Sequence, residues 1–133
     1  MRFLLDTNAC VDYLTARYPS VVARIQGSSP EDLCLTSVVV AELRYGADHS
    51  ARRRTNHARI DALIDEIECL DFDLQAAAAY GRVRAQLEAA GTPIGPNDML
   101  IAAHALSRGL SIVTDNVAEF GRVKGLKVEN WRQ

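Results

Sequence analysis

The stretch that decides the fold is Phe3-Leu4-Leu5-Asp6-Thr7-Asn8, in which three apolar residues run directly into an acid and two polar residues. A short apolar run with polar residues on both sides is typical of a buried β-strand. Thr7 or Asn8 is a good N-cap for a following helix, and the apolar residues within 10–14 supply the inner face of that helix. The sequence therefore predicts a strand that passes into a helix, with Asp6 where the strand ends.

The same alternation of short apolar runs and helical patterns continues along the chain. Further strands are predicted at residues 33–36, 69–72, 110–114 and 127–129. Further helices are predicted at residues 19–26, 38–47, 52–68, 74–90 and 97–108, and residues 115–125 are predicted to form a loop with a helical turn. Short strands separated by longer helices indicate a mostly parallel sheet with right-handed crossovers. We therefore expect an α/β fold with helices on both faces of the sheet.

Composition and length are those of one globular domain. The chain has 133 residues, of which 48% are hydrophobic and 24% charged, with a formal net charge of −2. A single domain over residues 1–133 is therefore expected, without a uniformly basic surface for nucleic acid. No apolar run approaches the ~20 residues of a membrane helix, and the acid at position 6 interrupts any signal-peptide core. Three widely spaced cysteines fit a reducing compartment, so we expect a cytoplasmic protein with no membrane segment.

Four acids stand at positions that suggest chemistry. Asp6 follows the first predicted strand and Asp115 follows the fourth, so both carboxylates are expected at the carboxyl edge of the sheet, where α/β proteins bind ligands. Glu42 has mostly apolar neighbours one helical turn away in both directions, and Asp98 precedes a long apolar run. An unpaired carboxylate is costly to bury at such a position.

Each acid also has an ordinary structural explanation. Asp6 and Asp115 could be N-caps or turn residues, and Asp98 could be favoured at a helix start by the macrodipole. The helix that carries Glu42 is expected to begin after Ser37 as its N-cap. A rotation of that helix would leave Glu42 half-exposed, and three consecutive valines also allow a continuation of the strand. The functional interpretation therefore rests on the four acids together.

Clustered carboxylates repel one another, and a bound cation relieves that repulsion. Mg²⁺, with Mn²⁺ as a substitute, takes oxygen ligands, keeps several waters and is commonly shared with phosphate groups. Such an ion polarises a phosphodiester and lowers the pKa of a bound water that attacks it. The four acids therefore predict a metal-dependent hydrolase that acts on a phosphodiester.

Five segments, in order along the chain, resemble the PIN-domain ribonuclease toxins of the VapC family. They are Leu4-Leu5-Asp6-Thr7-Asn8, the run Ser-Val-Val-Val-Ala-Glu-Leu-Arg-Tyr-Gly at 37–46, the run Ile-Gly-Pro-Asn-Asp-Met-Leu-Ile-Ala-Ala-His-Ala at 94–105, Val113-Thr114-Asp115-Asn116 with Glu119-Phe120, and Val128-Glu129-Asn130-Trp131. The resemblance implies a three-layer α/β/α PIN fold and a Mg²⁺-dependent endoribonuclease toxin that is inhibited by a VapB-like antitoxin. It also implies a homodimer and structured RNA, such as tRNA, as substrate.

The resemblance also implies a role for individual residues. Asp6, Glu42 and Asp98 correspond to three core acids that bind the metal or position the attacking water, and Asp115 corresponds to a fourth position that is Asp or Asn in the family. The polar residues expected to orient these acids or bound water are Thr7, Asn8, Thr114 and Asn116.

Two basic regions are candidates for RNA binding. Arg52, Arg53 and Arg54, with Arg59, form the only dense basic run, and the second region comprises Arg122, Lys124, Lys127 and Arg132. Either region could neutralise phosphates. Arg44 is a further candidate because it lies close to Glu42 along the chain. The alternative for the basic run is the solvated face of a helix whose other side is apolar.

Other functions remain compatible with parts of the pattern. A phosphotransfer protein of the receiver or haloacid dehalogenase kind also has an Asp after its first strand, but Asn8 stands where the dehalogenase pattern needs a second Asp, and no Lys precedes Lys124. A PIN-like metal nuclease of RNA processing or DNA cleavage, without an antitoxin, would share the acids. A PIN protein that binds RNA without cleaving it would not need all four.

Overall fold

The computed structural model describes residues 1–133, which form five strands and seven α-helices. In chain order these are β1 (Phe3–Leu5), α1 (Thr7–Thr15), α2 (Pro19–Gly27), β2 (Leu33–Thr36), α3 (Ser37–Asp48), α4 (Arg53–Glu66), β3 (Glu68–Leu70), α5 (Leu74–Ala89), α6 (Pro96–Ser107), β4 (Ser111–Val113), α7 (Val117–Phe120) and β5 (Val128–Glu129). A 3₁₀ turn at Pro30–Asp32 precedes β2. No helix has both the length and the apolar character needed to cross a membrane. The α/β prediction is confirmed.

The five strands form one sheet in the order β3-β2-β1-β4-β5, and every neighbouring pair is parallel. Phe3 in the central strand pairs with Leu33 on one side and with Ser111 on the other. Every residue of β1 and β2 is buried, and alternate strand residues face opposite sides, so helices cover both faces. Along the chain, β2 and β3 are added on one side of β1, and β4 and β5 are then added on its other side. The carboxyl end of β1 is therefore the topological switch point, where ligands bind in such sheets.

Two helix starts differ from the sequence prediction because one residue at the end of each strand is also the N-cap of the next helix. Asp6, and not Thr7 or Asn8, is the N-cap of α1, and its side chain accepts a 2.8 Å hydrogen bond from the amide of Ala9. Thr36, and not Ser37, is the N-cap of α3. The third strand also begins at Glu68 and not at Cys69. Since no linker separates strand from helix, the residues at both junctions are held by the sheet.

A buried histidine ties α6 to the start of α3. His104 is fully buried, and its Nδ1 lies 2.7 Å from the hydroxyl of Thr36. Burial lowers the pKa of His104, which favours the neutral ring. Because α3 carries Glu42 and α6 carries Asp98, this contact helps to fix the two acids relative to each other.

Candidate active site

A cavity of about 190 Å³ opens at the carboxyl end of β1. It is lined by Asp6, Thr7, Asn8, Glu42, Asp98, Asn116 and Phe120. The structure thus brings together three of the four predicted acids and three of the four polar residues predicted to support them. The acids come from three different parts of the chain, namely the end of β1, the middle of α3 and the first turn of α6.

Asp6 is buried at the base of this site. The pKa of its carboxyl is raised to about 7, chiefly by burial and to a lesser extent by the charges of Asp115 and Asp98, while hydrogen bonds from Thr114 and Ala9 oppose the rise. The backbone amide of Asp6 also bonds to Val113 in β4, at 3.0 Å. Asp6 is therefore held rigidly, in an environment that disfavours its negative charge unless a cation is near.

Glu42 is half-buried on α3 and is held by a residue of another helix. The hydroxyl of Thr7 donates a 2.7 Å hydrogen bond to its Oε1. Hydrogen bonds to a charged carboxylate are among the stronger ones in proteins. Thr7 thus holds Glu42 in one orientation.

Asp98 is half-buried in the first turn of α6. The pKa of its carboxyl is raised to about 6, chiefly by burial and to a lesser extent by the charges of Glu119 and Glu42. The backbone of Gly95 approaches this carboxylate so closely that a Cβ there would lie 3.3 Å from Asp98 Oδ2. Asp98 therefore belongs to the acid site as well as to the helix start.

Glu119 is an acid near this site that the residue-by-residue sequence prediction did not include. It lies on α7, accepts a hydrogen bond from Asn116 and acts electrostatically on Asp98. Its position one helical turn after Asp115, in a segment already quoted for the family resemblance, was the available signal. A helical turn is predicted within residues 115–125, but the sequence does not show that this turn brings Glu119 near Asp98.

Asp115, the fourth predicted acid, does not line the cavity, although its charge reaches Asp6. Its Oδ1 accepts a 3.0 Å hydrogen bond from Asn8, and its Oδ2 lies 3.0 Å from a guanidinium nitrogen of Arg132. Both of its oxygens are therefore engaged by protein groups.

The donors around the cavity fit a hard divalent cation. They are carboxylate, hydroxyl and amide groups, with no thiol or imidazole among them. No group of three or more His, Cys, Asp and Glu side chains forms a ready-made metal cluster. Oxygen donors of this kind suit Mg²⁺, which commonly takes one or two carboxylates and keeps several waters. Asp6, Glu42 and Asp98 are the residues that would hold it.

Some of the predicted RNA-binding arginines are paired with acids of the protein, and others are free to meet a phosphate. The guanidinium of Arg44 donates to Asp61 at 2.6 Å and also contacts His57, which ties α3 to α4. Arg53 pairs with Asp48 at 3.0 Å. Arg52 and Arg54 are exposed at the start of α4 and belong to no ion pair.

The chain is similar over nearly its whole length to proteins of one family. The PIN domain family matches residues 3–126. The tRNA(fMet)-specific endonucleases VapC of Salmonella typhimurium and Shigella flexneri are 40% and 43% identical to this chain over 131 residues, with 98% of each chain covered. The structure of DNA-bound VapBC from Salmonella typhimurium contains a chain that matches with a TM-score of 0.93 at 40% identity, again covering 98% of both chains.

The acids, the parallel sheet and these comparisons agree over nearly the whole chain. The three-layer PIN-like fold expected from the sequence is confirmed. Asp6, Glu42 and Asp98 lie at the position in the sheet where such a fold would act on a ligand. This chain belongs to the PIN domain family and, within it, to the VapC ribonucleases.

Proposed function

We propose that this chain is a Mg²⁺-dependent endoribonuclease toxin that cleaves tRNA and is inhibited by a VapB-like antitoxin. The observation that carries the proposal is the convergence of Asp6, Glu42 and Asp98 on one cavity in a member of the VapC family. Two relatives named tRNA(fMet)-specific endonuclease support tRNA as the substrate class.

A divalent ion bound by these acids would polarise the scissile phosphate and make an attacking water more acidic. The contribution of the chain itself is positioning. Asp6 is fixed by the amide of Ala9 and by Thr114, and Glu42 is fixed by Thr7. Carboxylates held in place before the substrate arrives need no reorganisation during the reaction, and this lowers its barrier. No side chain is required as a nucleophile.

A second cavity, of about 340 Å³, supports the antitoxin part of the proposal. It lies between α1, α3 and α4, and its apolar lining includes Val11, Leu14, Leu43 and Ile60. Thr7 and Glu42 line this groove as well as the acid cavity, so the two are neighbours. An apolar antitoxin segment seated here would lie beside the acids. The solved VapBC complex, which contains a chain of the same fold, supports an antitoxin as partner.

A third surface supports the homodimer. Val38, Ala41 and Tyr45 on α3 and Leu100 on α6 line a groove of about 650 Å³, and Tyr45 is 69% exposed. An exposed aromatic residue beside an apolar groove is typical of a protein interface. We propose that a second copy of the chain covers this face, and a Tyr45→Glu variant that sediments as a monomer would support this.

The expected compartment is the cytoplasm. A nuclease that acts on tRNA works where tRNA is used in translation. The cysteines Cys10, Cys34 and Cys69 are all free thiols, which fits a reducing compartment. Fractionation of cells that express the chain with an epitope tag would test this assignment.

The decisive experiment is cleavage of tRNA by purified, antitoxin-free protein. The reaction is run with Mg²⁺, with excess chelator, and with an Asp98→Asn preparation that controls for contaminating ribonuclease. Cleavage that needs both the ion and Asp98 is expected. Addition of the antitoxin encoded beside the gene is expected to stop it, and induction of the toxin alone is expected to arrest growth.

Other results would favour the other functions. Cleavage of DNA but not RNA, or RNA cleavage without growth arrest, would favour a nuclease outside a toxin-antitoxin pair. Tight RNA binding that needs neither ion nor Asp98, without cleavage, would favour a PIN protein that acts by binding.

A further inference from the structure

Arg132, in the segment after β5, is engaged on three sides. Its Nε and one terminal nitrogen donate to the two carboxylate oxygens of Asp12, at 2.7 and 3.0 Å. Its other terminal nitrogen donates to Asp115 at 3.0 Å. The guanidinium carbon also lies 4.1 Å from the centre of the Tyr18 ring. Arg132 thus connects α1, the start of α2 and the loop after β4.

Asp12 explains why an arginine is needed at this position. Its carboxylate lies on α1, and the residue is 3% exposed. A buried carboxylate without a cation is strongly destabilising, and a guanidinium can pair with both of its oxygens at once. Lysine has a single charged nitrogen and cannot bind both oxygens of Asp12 while reaching Asp115.

Asp115 is the link between this ion pair and the acid cavity. One of its oxygens faces Arg132, and the other accepts the hydrogen bond from Asn8, which lines the cavity. A continuous path of contacts therefore runs from Asp12 through Arg132 and Asp115 to Asn8. Asp115 remains close enough to Asp6 for its charge to be felt there.

We propose that Arg132 is a positioning residue of the active site, which holds Asp115 on Asn8 and keeps its carboxylate out of the set of acids that binds the ion. The inference rests on the proposed metal-dependent nuclease. Without Arg132, the Oδ2 oxygen of Asp115 loses its partner, and only the hydrogen bond from Asn8 still holds this carboxylate near Asp6. A fourth carboxylate on the ion would bind the ion more tightly, would reduce its pull on the phosphate and would repel the RNA backbone.

The test must release Asp115 without leaving Asp12 as an unpaired buried charge. The double variant Asp12→Asn/Arg132→Met does this. Both partners of the ion pair become neutral, and each new side chain is similar in size to the one that it replaces. The matched control adds Asp115→Asn to the same two changes, which removes the released charge. Three properties are compared with the wild type: Mn²⁺ affinity by calorimetry without RNA, kcat and KM on tRNA, and the thermal unfolding midpoint.

For the double variant we expect Mn²⁺ to bind about threefold to tenfold tighter while kcat falls by about tenfold or more, a size typical of residues that orient metal ligands. Adding Asp115→Asn is expected to return the Mn²⁺ affinity to about the wild-type value and to recover most of kcat. A residue that only stabilises the fold would change the unfolding midpoint and leave the ion affinity as it was.

Two results would overturn the inference. One is a double variant that folds and has the wild-type Mn²⁺ affinity and kcat, since Arg132 would then serve stability alone. The other is an Asp115→Asn single variant with Mn²⁺ binding about tenfold weaker, since Asp115 would then be an ion ligand itself. Failure of the wild type to bind Mn²⁺ or to cleave would count instead against the proposed function. In that case the contact between Arg132 and Asp115 is still tested by a double-mutant cycle of Arg132→Met and Asp115→Asn, measured as free energies of unfolding. A coupling free energy of zero would refute the contact.

Discussion

Thr7 and Glu42 are joined by a 2.7 Å hydrogen bond, which links the first turn of α1 to the middle of α3. The two residues are 35 positions apart in the sequence, and both line the acid cavity and the apolar groove next to it. Thr7 therefore acts on the site through the orientation of Glu42.

Replacement of Thr7 by valine keeps the shape of the side chain and removes the hydroxyl. Glu42 loses a hydrogen bond to a charged group, and such bonds contribute about 1.5–3 kcal/mol, so cleavage is expected to fall by about tenfold to a hundredfold. Thr7→Ser, which keeps the hydroxyl, is the matched control. Equal rates for the valine and serine variants in tRNA cleavage would show that this bond does not matter for activity.

The raised pKa of Asp6 predicts that its charge destabilises the fold at neutral pH in the absence of a cation. The pKa rises from 3.8 to about 7, so between these values the folded protein binds more protons than the unfolded chain, and stability falls as the pH rises towards 7. Asp6→Asn is therefore expected to be more stable than the wild type at pH 8, by about 1–3 kcal/mol, and inactive. Asparagine is also a good N-cap, so α1 keeps its cap.

Urea unfolding with chelator at pH 5 and pH 8 measures this effect. The gain of Asp6→Asn over the wild type should be smaller at pH 5, and Mg²⁺ at pH 8 should stabilise the wild type more than the variant. Asp71→Asn, at an exposed acid, is the control for a change of net charge. A gain that is the same at both pH values would contradict the assigned pKa.

Gly95→Ala is expected to act on the site through Asp98 alone. The backbone of Gly95 has φ −55°, which alanine adopts freely, but the added Cβ would stand 3.3 Å from Asp98 Oδ2. The carboxylate must move by a few tenths of an ångström, and Mn²⁺ affinity and cleavage are expected to fall by about threefold to tenfold, with stability changed by less than about 1 kcal/mol.

Gly81→Ala is the matched control for this substitution. Gly81 lies within α5, and a Cβ there meets no atom within 4 Å. The control should raise stability by about 0.5–1 kcal/mol through helix propensity and leave ion binding as it was. If Gly95→Ala also binds Mn²⁺ like the wild type, then Asp98 is not a ligand in its present position.

The groove between α1, α3 and α4 is expected to bind the antitoxin. Val11 lines this groove and is 41% exposed, so Val11→Arg places a charge in the groove at little cost to the fold. Inhibition by the antitoxin is expected to weaken by about tenfold or more, while cleavage by the free protein is retained. Leu74→Arg, at an exposed residue on α5, is the control outside the groove. Normal inhibition of Val11→Arg would place the antitoxin elsewhere.

Most elements of the fold could be predicted because their signals are local. The apolar run Phe3–Leu5 and the glycines that follow α5 and α6 mark where elements end, and the structure agrees to within a few residues. Gly91 and Gly109 have φ of 68° and 65°, the left-handed conformation that lets a helix stop. The predicted caps lie one or two residues too late because Asp6 and Thr36 each stand at the end of a strand and at the start of a helix.

The acid site could be predicted in part. Asp6 follows a strand, and Glu42 and Asp98 face apolar surroundings on helices, so their meeting at one sheet edge follows from the order of elements in an α/β fold. Glu119 could not be placed in this way because its approach to Asp98 depends on the short helix α7. The buried charge of Asp12 was not recognised because nothing near it in the sequence indicates a partner.

By itself, then, the sequence determined the alternation of strands and helices and the two acids that follow β1 and β4, since hydrophobic periodicity and strand ends are properties of neighbouring residues. Only the tertiary structure decided what each carboxylate contacts. Arg132 is 17 residues from Asp115 and 120 residues from Asp12, and it meets both because β5 lies beside β4 and the segment after it returns to α1. Side-chain direction across such distances is set by packing, and this is why Asp115 faces Arg132 while Asp6, Glu42 and Asp98 face the cavity.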